Sequence, residues 1–281
     1  MYNLRIIKCN SRLEIYKVHN YIIRKSKKHE GFKRIEKLQK EIEKSTSKEE
    51  VKKSNKQSKK NRVATLTAAR NNIIRLIKCN DDMTTFITLT FAKEQDYKES
   101  KKSLDNLFHK LRKRYKNLKY LWVLEYGDIN HRLHFHVLTN MPMEIKLNNS
   151  NEVKSKEHKL LEQSFSASYW KYGWVDIRSL AQEDNTNVAL YVSSYIVKSL
   201  KDVDLEGYRI YGYSQKTLEK PIEEKIFCEA SIEQILSRYG DYELKFTNSY
   251  PIGYTDWKGN HLGNVTYFDL NKKECINNES K

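Results

Sequence analysis

Residues 120–140, YLWVLEYGDINHRLHFHVLTN, form two apolar runs either side of a polar turn, GDIN. So short a turn between strand-like runs joins them as an antiparallel pair, because parallel strands need a long crossover. Any fold for this chain must contain that ladder. Side chains alternate along a strand, so His134 and His136 share one face while Leu133, Phe135 and Val137 fill the other. Folding back at the turn brings Glu125 opposite His134. Two imidazoles and a carboxylate on one face suit a metal clamp or a satisfied polar patch on a half-buried strand. Asp128 and His131 lie nearer the turn tip, as turn residues within reach of a substrate.

The neighbouring segments extend the ladder into a domain. TTFITLTF, residues 84–91, is the most strand-like run, with Phe86, Thr88 and Thr90 opposing Ile87, Leu89 and Phe91. SLDNLFHKLRKRYKNL sets Leu104, Leu107, Phe108, Leu111 and Leu118 on one helical stripe. KLLEQSFSASYWKYG reads as a helix ended by Gly173, whose missing Cβ suits a left-handed cap, and WVDIRSL as a fourth strand. NTNVALYVSSYIVKSL then starts a helix behind Asn185 or Thr186 as N-cap. The order β-α-β-β-α-β-α predicts an α+β fold, a central antiparallel sheet with helices on one face. No G-x-x-x-x-G-K-[ST] is present, which argues against an ATP-driven helicase domain.

Charge marks out the N-terminal part. Residues 1–80 hold 23 Lys and Arg against 7 Asp and Glu, so the whole formal excess of +16 lies there. After two β-leaning pieces within residues 1–30, the text from 31 to 80 is helical and basic, interrupted by the polar STSKEEVKKSNKQSKKN. Such a segment suits phosphate backbones, with Arg62, Arg70, Arg75 and Lys78 as candidate contacts. The expected division is a basic, largely helical DNA-binding arm over 1–80, a catalytic domain over 81–220, and a C-terminal helix and frayed tail over 221–281. Cys9, Cys79, Cys228 and Cys275 are far apart, giving no zinc knuckle or disulfide framework. No run nears the roughly 18 apolar residues of a membrane span, so a cytoplasmic protein with no membrane partner is expected.

Tyr191, Tyr195 and Lys198 are spaced by four and three residues and project from one helix face. Ordinary packing beside Val188, Val192 and Ile196 explains such a face; so does chemistry. A phenol with a pKa of about 10 is a poor nucleophile at neutral pH. A divalent cation on the histidines and a nearby lysine would offset that by stabilising charge on a scissile phosphate. The resulting transesterification conserves a phosphodiester bond and needs no ATP.

In that order, FITLTF, HFH and YVSSYIVK resemble the three motifs of the HUH endonuclease superfamily, and most of all the rolling-circle replication initiators of microviruses and related plasmids. LEYGD supplies the acidic residue and YG that precede the histidine pair there. The resemblance covers roughly residues 84–200. It implies that His134 and His136, with Glu125, bind Mg2+ or Mn2+, that Tyr195 is the principal nucleophile with Lys198 trailing it, and that Tyr191 is a second nucleophile. It implies a nick in single-stranded or hairpin origin DNA, a 5′-phosphotyrosine link, and a free 3′-hydroxyl for a host helicase and polymerase to use. A Y1-type transposase shares the histidines and tyrosine but has a shorter chain; a non-catalytic DNA-binding module would keep the fold without the chemistry. Oligomeric state has no signature here.

Overall fold

The computed structural model of the chain describes residues 1–19, 22–23, 65–127, 132–148, 152–181, 183, 185–198, 207–253, 260 and 263–273. The chain divides into two units, residues 62–220 and residues 1–61 with 221–281. Two five-stranded antiparallel sheets, one per unit, with helices make an α+β protein.

In the first unit, residues 65–78 form a helix (α1). There follow β3 (Thr85–Phe91), α2 (Tyr97–Arg114), β4 (Tyr120–Tyr126), β5 (Leu133–Thr139), α3 (Lys156–Tyr169), β6 (Gly173–Ser179), α4 (Asn185–Lys198) and β7 (Tyr211–Tyr213). The strand order is β6-β3-β5-β4-β7, so the histidine strand is central. Asp96 caps α2 by accepting from the Glu99 backbone N–H, and Ser155 caps α3 by accepting from that of His158. One sheet face carries Leu89, Phe135 and Leu124 into a core completed by Leu104, Leu107 and Phe108 of α2. Phe108 stacks on Tyr120 with centroids 3.7 Å apart, and Trp170, just past α3, meets Phe91 edge-on at 5.0 Å.

Helices were expected on one face only. The tyrosine helix α4 instead covers the opposite face, where Tyr195 stacks on His136. Its buried stripe of Val188, Val192, Tyr195 and Ile196 seals the second side of the sheet. Gly173 also differs from expectation. It opens β6 rather than capping α3, and its φ is not in the left-handed region. Its reason is space, since a Cβ there would lie 2.1 Å from the Thr90 carbonyl oxygen and 2.6 Å from the Ala92 nitrogen. Gly173→Ala is therefore expected to cost about 3 kcal/mol through backbone strain at the β3–β6 seam, read as a lower midpoint in urea unfolding.

The second unit holds β1 (Leu4–Lys8), β2 (Arg12–Val18), β8 (Ile222–Ile226), α5 (Ile232–Ser237), β9 (Tyr242–Pro251) and β10 (Asn264–Lys272), in the order β8-β1-β2-β10-β9. This redraws the expected division. Residues 4–18 supply two strands to a sheet whose other three come from the C-terminal end, and α1 belongs to the first unit, where Ile73, Leu76 and Ile77 are buried. The expected long C-terminal helix shrinks to α5, begun by a Ser231–Gln234 capping box, and most of the expected frayed tail is strand β10. The physical cause is pairing: β1 and β2 alone make a hairpin of marginal stability, and Phe268 and Leu270 of β10 close its core with Leu13 and Ile15. The expected helix over 31–43 lies outside the described residues.

Candidate active site

The register sets Thr88 opposite His136 and Thr90 opposite His134 across β3 and β5, and Glu125 opposite His134 across β4 and β5. All five side chains therefore share one face. Their contacts then cross the ladder diagonally as well as directly. Glu125 Oε1 meets His136 Nε2 at 2.9 Å, two residues beyond its paired neighbour. Thr88 Oγ1 lies 3.2 Å from His136 Nδ1, and Thr90 Oγ1 lies 3.0 Å from His134 Nδ1. A hydroxyl can donate or accept, so each threonine can hold its imidazole in either tautomer.

The site is dry. Glu125 and His136 are buried, and Glu125 Oε2 has no hydrogen-bond partner, with Lys198 Nζ standing 3.7 Å from it. Burial, followed by the neighbouring His136, holds the His134 pKa below the ordinary histidine value, which favours the neutral imidazole that has a free lone pair. Gly127 makes room for that ring: a Cβ there would come within 2.5 Å of His134 Nε2. The YG ahead of the histidine pair is thus a spatial requirement of the histidine itself. Among the described residues, no three His, Cys, Asp or Glu side chains stand close enough together to hold an ion as they are.

α4 lowers two hydroxyls onto this face. Tyr195 O–H donates to the Tyr191 oxygen at 2.6 Å, and the Tyr195 ring stacks on His136 with centroids 3.8 Å apart. Lys198 Nζ lies 5.3 Å from the centre of the Tyr195 ring. Burial, reinforced by the bond to Tyr191, pushes the Tyr195 pKa well above that of an ordinary phenol. Tyr195 is 7% exposed and Tyr191 46%, so solvent meets the pair through Tyr191. Phe86 of β3 lies against both rings, at 5.4 Å from Tyr191 and 6.3 Å from Tyr195.

The structure therefore brings His134, His136, Glu125, Tyr191, Tyr195 and Lys198 together. The basic residues of the N-terminal region fare differently. Arg70 and Arg75 are partly exposed on α1, whereas Lys78 is 3% exposed and sits with Ile74 and Ile77 in the buried stripe, which removes it from the surface a phosphate would touch. Arg62, Asp128 and His131 lie outside the described residues. Thr88 and Thr90 were missed as histidine partners. Their signal was the polar alternation of FITLTF, which needed the β3–β5 register to be read.

Residues 84–200 match the family model of a replication-associated protein, the ORF2 and gene II protein type. The matched stretch runs from the start of β3 to the end of the tyrosine helix and contains every residue of the cluster. No curated protein and no solved structure matches the chain. Among the described residues, no helix is long and apolar enough to cross a membrane.

Proposed function

We propose that this chain is a replication initiator of the HUH type, a single-strand DNA endonuclease and strand transferase that opens an origin for rolling-circle copying. One observation carries the reading: two hydroxyls 2.6 Å apart are set on the same sheet face as a His–His–Glu group, with one of the tyrosine rings stacked on a histidine. The match of residues 84–200 to a replication-associated family supports the setting.

His134, His136 and Glu125 would hold a divalent ion. Their fit rests on the unpartnered Glu125 Oε2, on the two Nδ1 atoms already engaged by threonine, and on the space Gly127 keeps beside His134 Nε2. Mg2+ or Mn2+ bound there would draw charge from the oxygens of a scissile phosphate. The chain's own groups do the rest. The Tyr195 oxygen attacks phosphorus, the bond to the 3′ oxygen breaks, and that oxygen leaves as a 3′-hydroxyl with the proton the phenol gives up. The 5′-phosphate stays on the tyrosine. Lys198, beside both Tyr195 and Glu125, offsets negative charge as the phenol loses its proton. Tyr191, one hydrogen bond away, is placed to take the second transfer that rejoins the strand.

The freed 3′-hydroxyl primes a host polymerase behind a host helicase, which puts the reaction in the cytoplasm of a bacterial cell. Arg70 and Arg75 serve as phosphate contacts for the incoming strand. The test is a covalent protein–DNA band on a denaturing gel after incubation with labelled single-stranded origin DNA and manganese. No band with folded, DNA-bound protein would favour a non-catalytic binding module.

The threonines give a finer prediction. Thr88→Val and Thr90→Val keep side-chain shape but remove the hydroxyl that steadies each imidazole, and each is expected to weaken Mn2+ binding about 10- to 100-fold. Titration calorimetry checks it; unchanged affinity would mean the threonines only fill space.

A further inference from the structure

A cavity of about 340 Å³ opens beside the tyrosine pair, with Phe86, Thr88, Asp176, Arg178, Glu183 and Tyr191 on its walls. None of Asp176, Arg178 and Glu183 has a part in the transesterification. The volume is at the low end for small-ligand sites, which run from about 300 to 1,000 Å³. Its walls differ in kind. Phe86 is buried and Tyr191 half-exposed, so one side offers aromatic surface. The other side is charged and braced: Arg178 Nε donates to Asp176 Oδ1 at 3.2 Å, another guanidinium nitrogen donates to the Glu152 carbonyl at 3.0 Å, and Lys154 Nζ holds the same Asp176 oxygen at 2.5 Å. Glu183 is exposed at the rim.

We propose that this cavity seats one unstacked guanine base, from the nucleotide flanking the phosphate at the tyrosines, and thereby fixes where the strand is cut. The inference rests on the nuclease reading and adds the base it selects. Tyr191 joins the two places, because it lines the cavity and its oxygen receives the Tyr195 hydroxyl. The base stacks on the Tyr191 ring, as bases do on aromatic platforms in single-strand binding proteins. Guanine presents adjacent N1–H and N2–H donors, which match the Glu183 carboxylate, and O6 and N7 acceptors, which match the Arg178 guanidinium. Asp176 and Lys154 are positioning residues that keep the guanidinium in place. Adenine would set a ring-nitrogen lone pair against the carboxylate, and thymine a carbonyl; cytosine brings a single amino donor.

The experiment reads binding without cleavage. Fluorescence anisotropy in EDTA, with the full chain, compares a labelled oligo-dT of about 15 nucleotides, long enough to span a single-strand groove, carrying one central dG, dA, dC or abasic site against oligo-dT itself. The dG oligonucleotide is expected to bind about 10- to 100-fold more tightly than the host. Central inosine, which lacks only the N2 amino group, and 7-deazaguanine, which lacks N7, should each lose part of that gain with no change to the protein. Glu183→Gln, at an exposed position, should abolish the difference between guanine and inosine. Equal affinity for all central bases, or preference for another base, overturns the cavity's role while leaving the nuclease reading intact. Guanine preference without any covalent adduct on addition of manganese would keep the cavity and overturn the nuclease.

Discussion

Replacing both Tyr191 and Tyr195 with phenylalanine is expected to abolish the covalent adduct with single-stranded origin DNA, a loss of at least about 10³-fold. Each change removes one oxygen and leaves a ring of nearly the same volume, so the stacking of residue 195 on His136 and of residue 191 against Phe86 is retained. Circular dichroism and DNA affinity should therefore stay close to wild type. Tyr195→Phe alone is expected to eliminate the first cut, because Lys198, His136 and Glu125 converge on that residue. Tyr191→Phe alone is expected to leave the adduct and block strand rejoining. The reverse pattern, with the adduct surviving Tyr195→Phe and vanishing in Tyr191→Phe, would move the nucleophile to the more exposed hydroxyl. An adduct in the double variant would remove tyrosine from the chemistry altogether.

Glu125→Gln is expected to have the second largest effect, a drop of about 10²- to 10³-fold in manganese-dependent adduct formation with a matching loss of Mn2+ affinity. The change is isosteric. It removes the charge that meets His136 at one oxygen and Lys198 near the other. The amide can still bond to His136 Nε2, so stability should change little, which separates a lost ligand from a lost fold. His134→Ala should act similarly, since that ring's Nε2 lies open over Gly127. Titration with Mn2+ by electron paramagnetic resonance reads both. Undiminished affinity in Glu125→Gln would show that the carboxylate is a structural acceptor for His136 and that the ion binds elsewhere.

The two central strands were legible because their hydrophobic alternation is strict and their turn is short. Even the pairing of Glu125 with His134 follows from folding the sequence at GDIN. The diagonal step from Glu125 to His136 does not, because side-chain direction depends on pleat and twist rather than register. The tyrosine face was legible from spacing, but its side of the sheet was not: a helix pattern shows which face it buries and not against which surface. The terminal segments were the least legible. The run IEEKI has no strand signal of its own and becomes β8 because Leu4–Lys8 pairs with it. Its ladder is written far away in the sequence, where local pattern has no access. The same holds for Thr88 and Thr90, whose role depends on a strand more than forty positions downstream.

The interleaving of the two units has a consequence for synthesis on the ribosome. Arg5 and Glu223, joined across β1 and β8, are 218 positions apart, and β9 and β10 come later still. The β1–β2 hairpin leaves the exit tunnel first with only two of the five strands its sheet needs. Residues 62–220 are complete before any of the other three is translated, so the unit that carries the tyrosines is the first able to fold. A nascent chain stalled just after residue 220 has left the tunnel would already have its chemistry assembled while its first two strands waited unpaired. The segment from 221 onward then acts as the completing half of a structure begun at the N-terminus, and loss of it by premature termination would leave that half exposed to association or proteolysis.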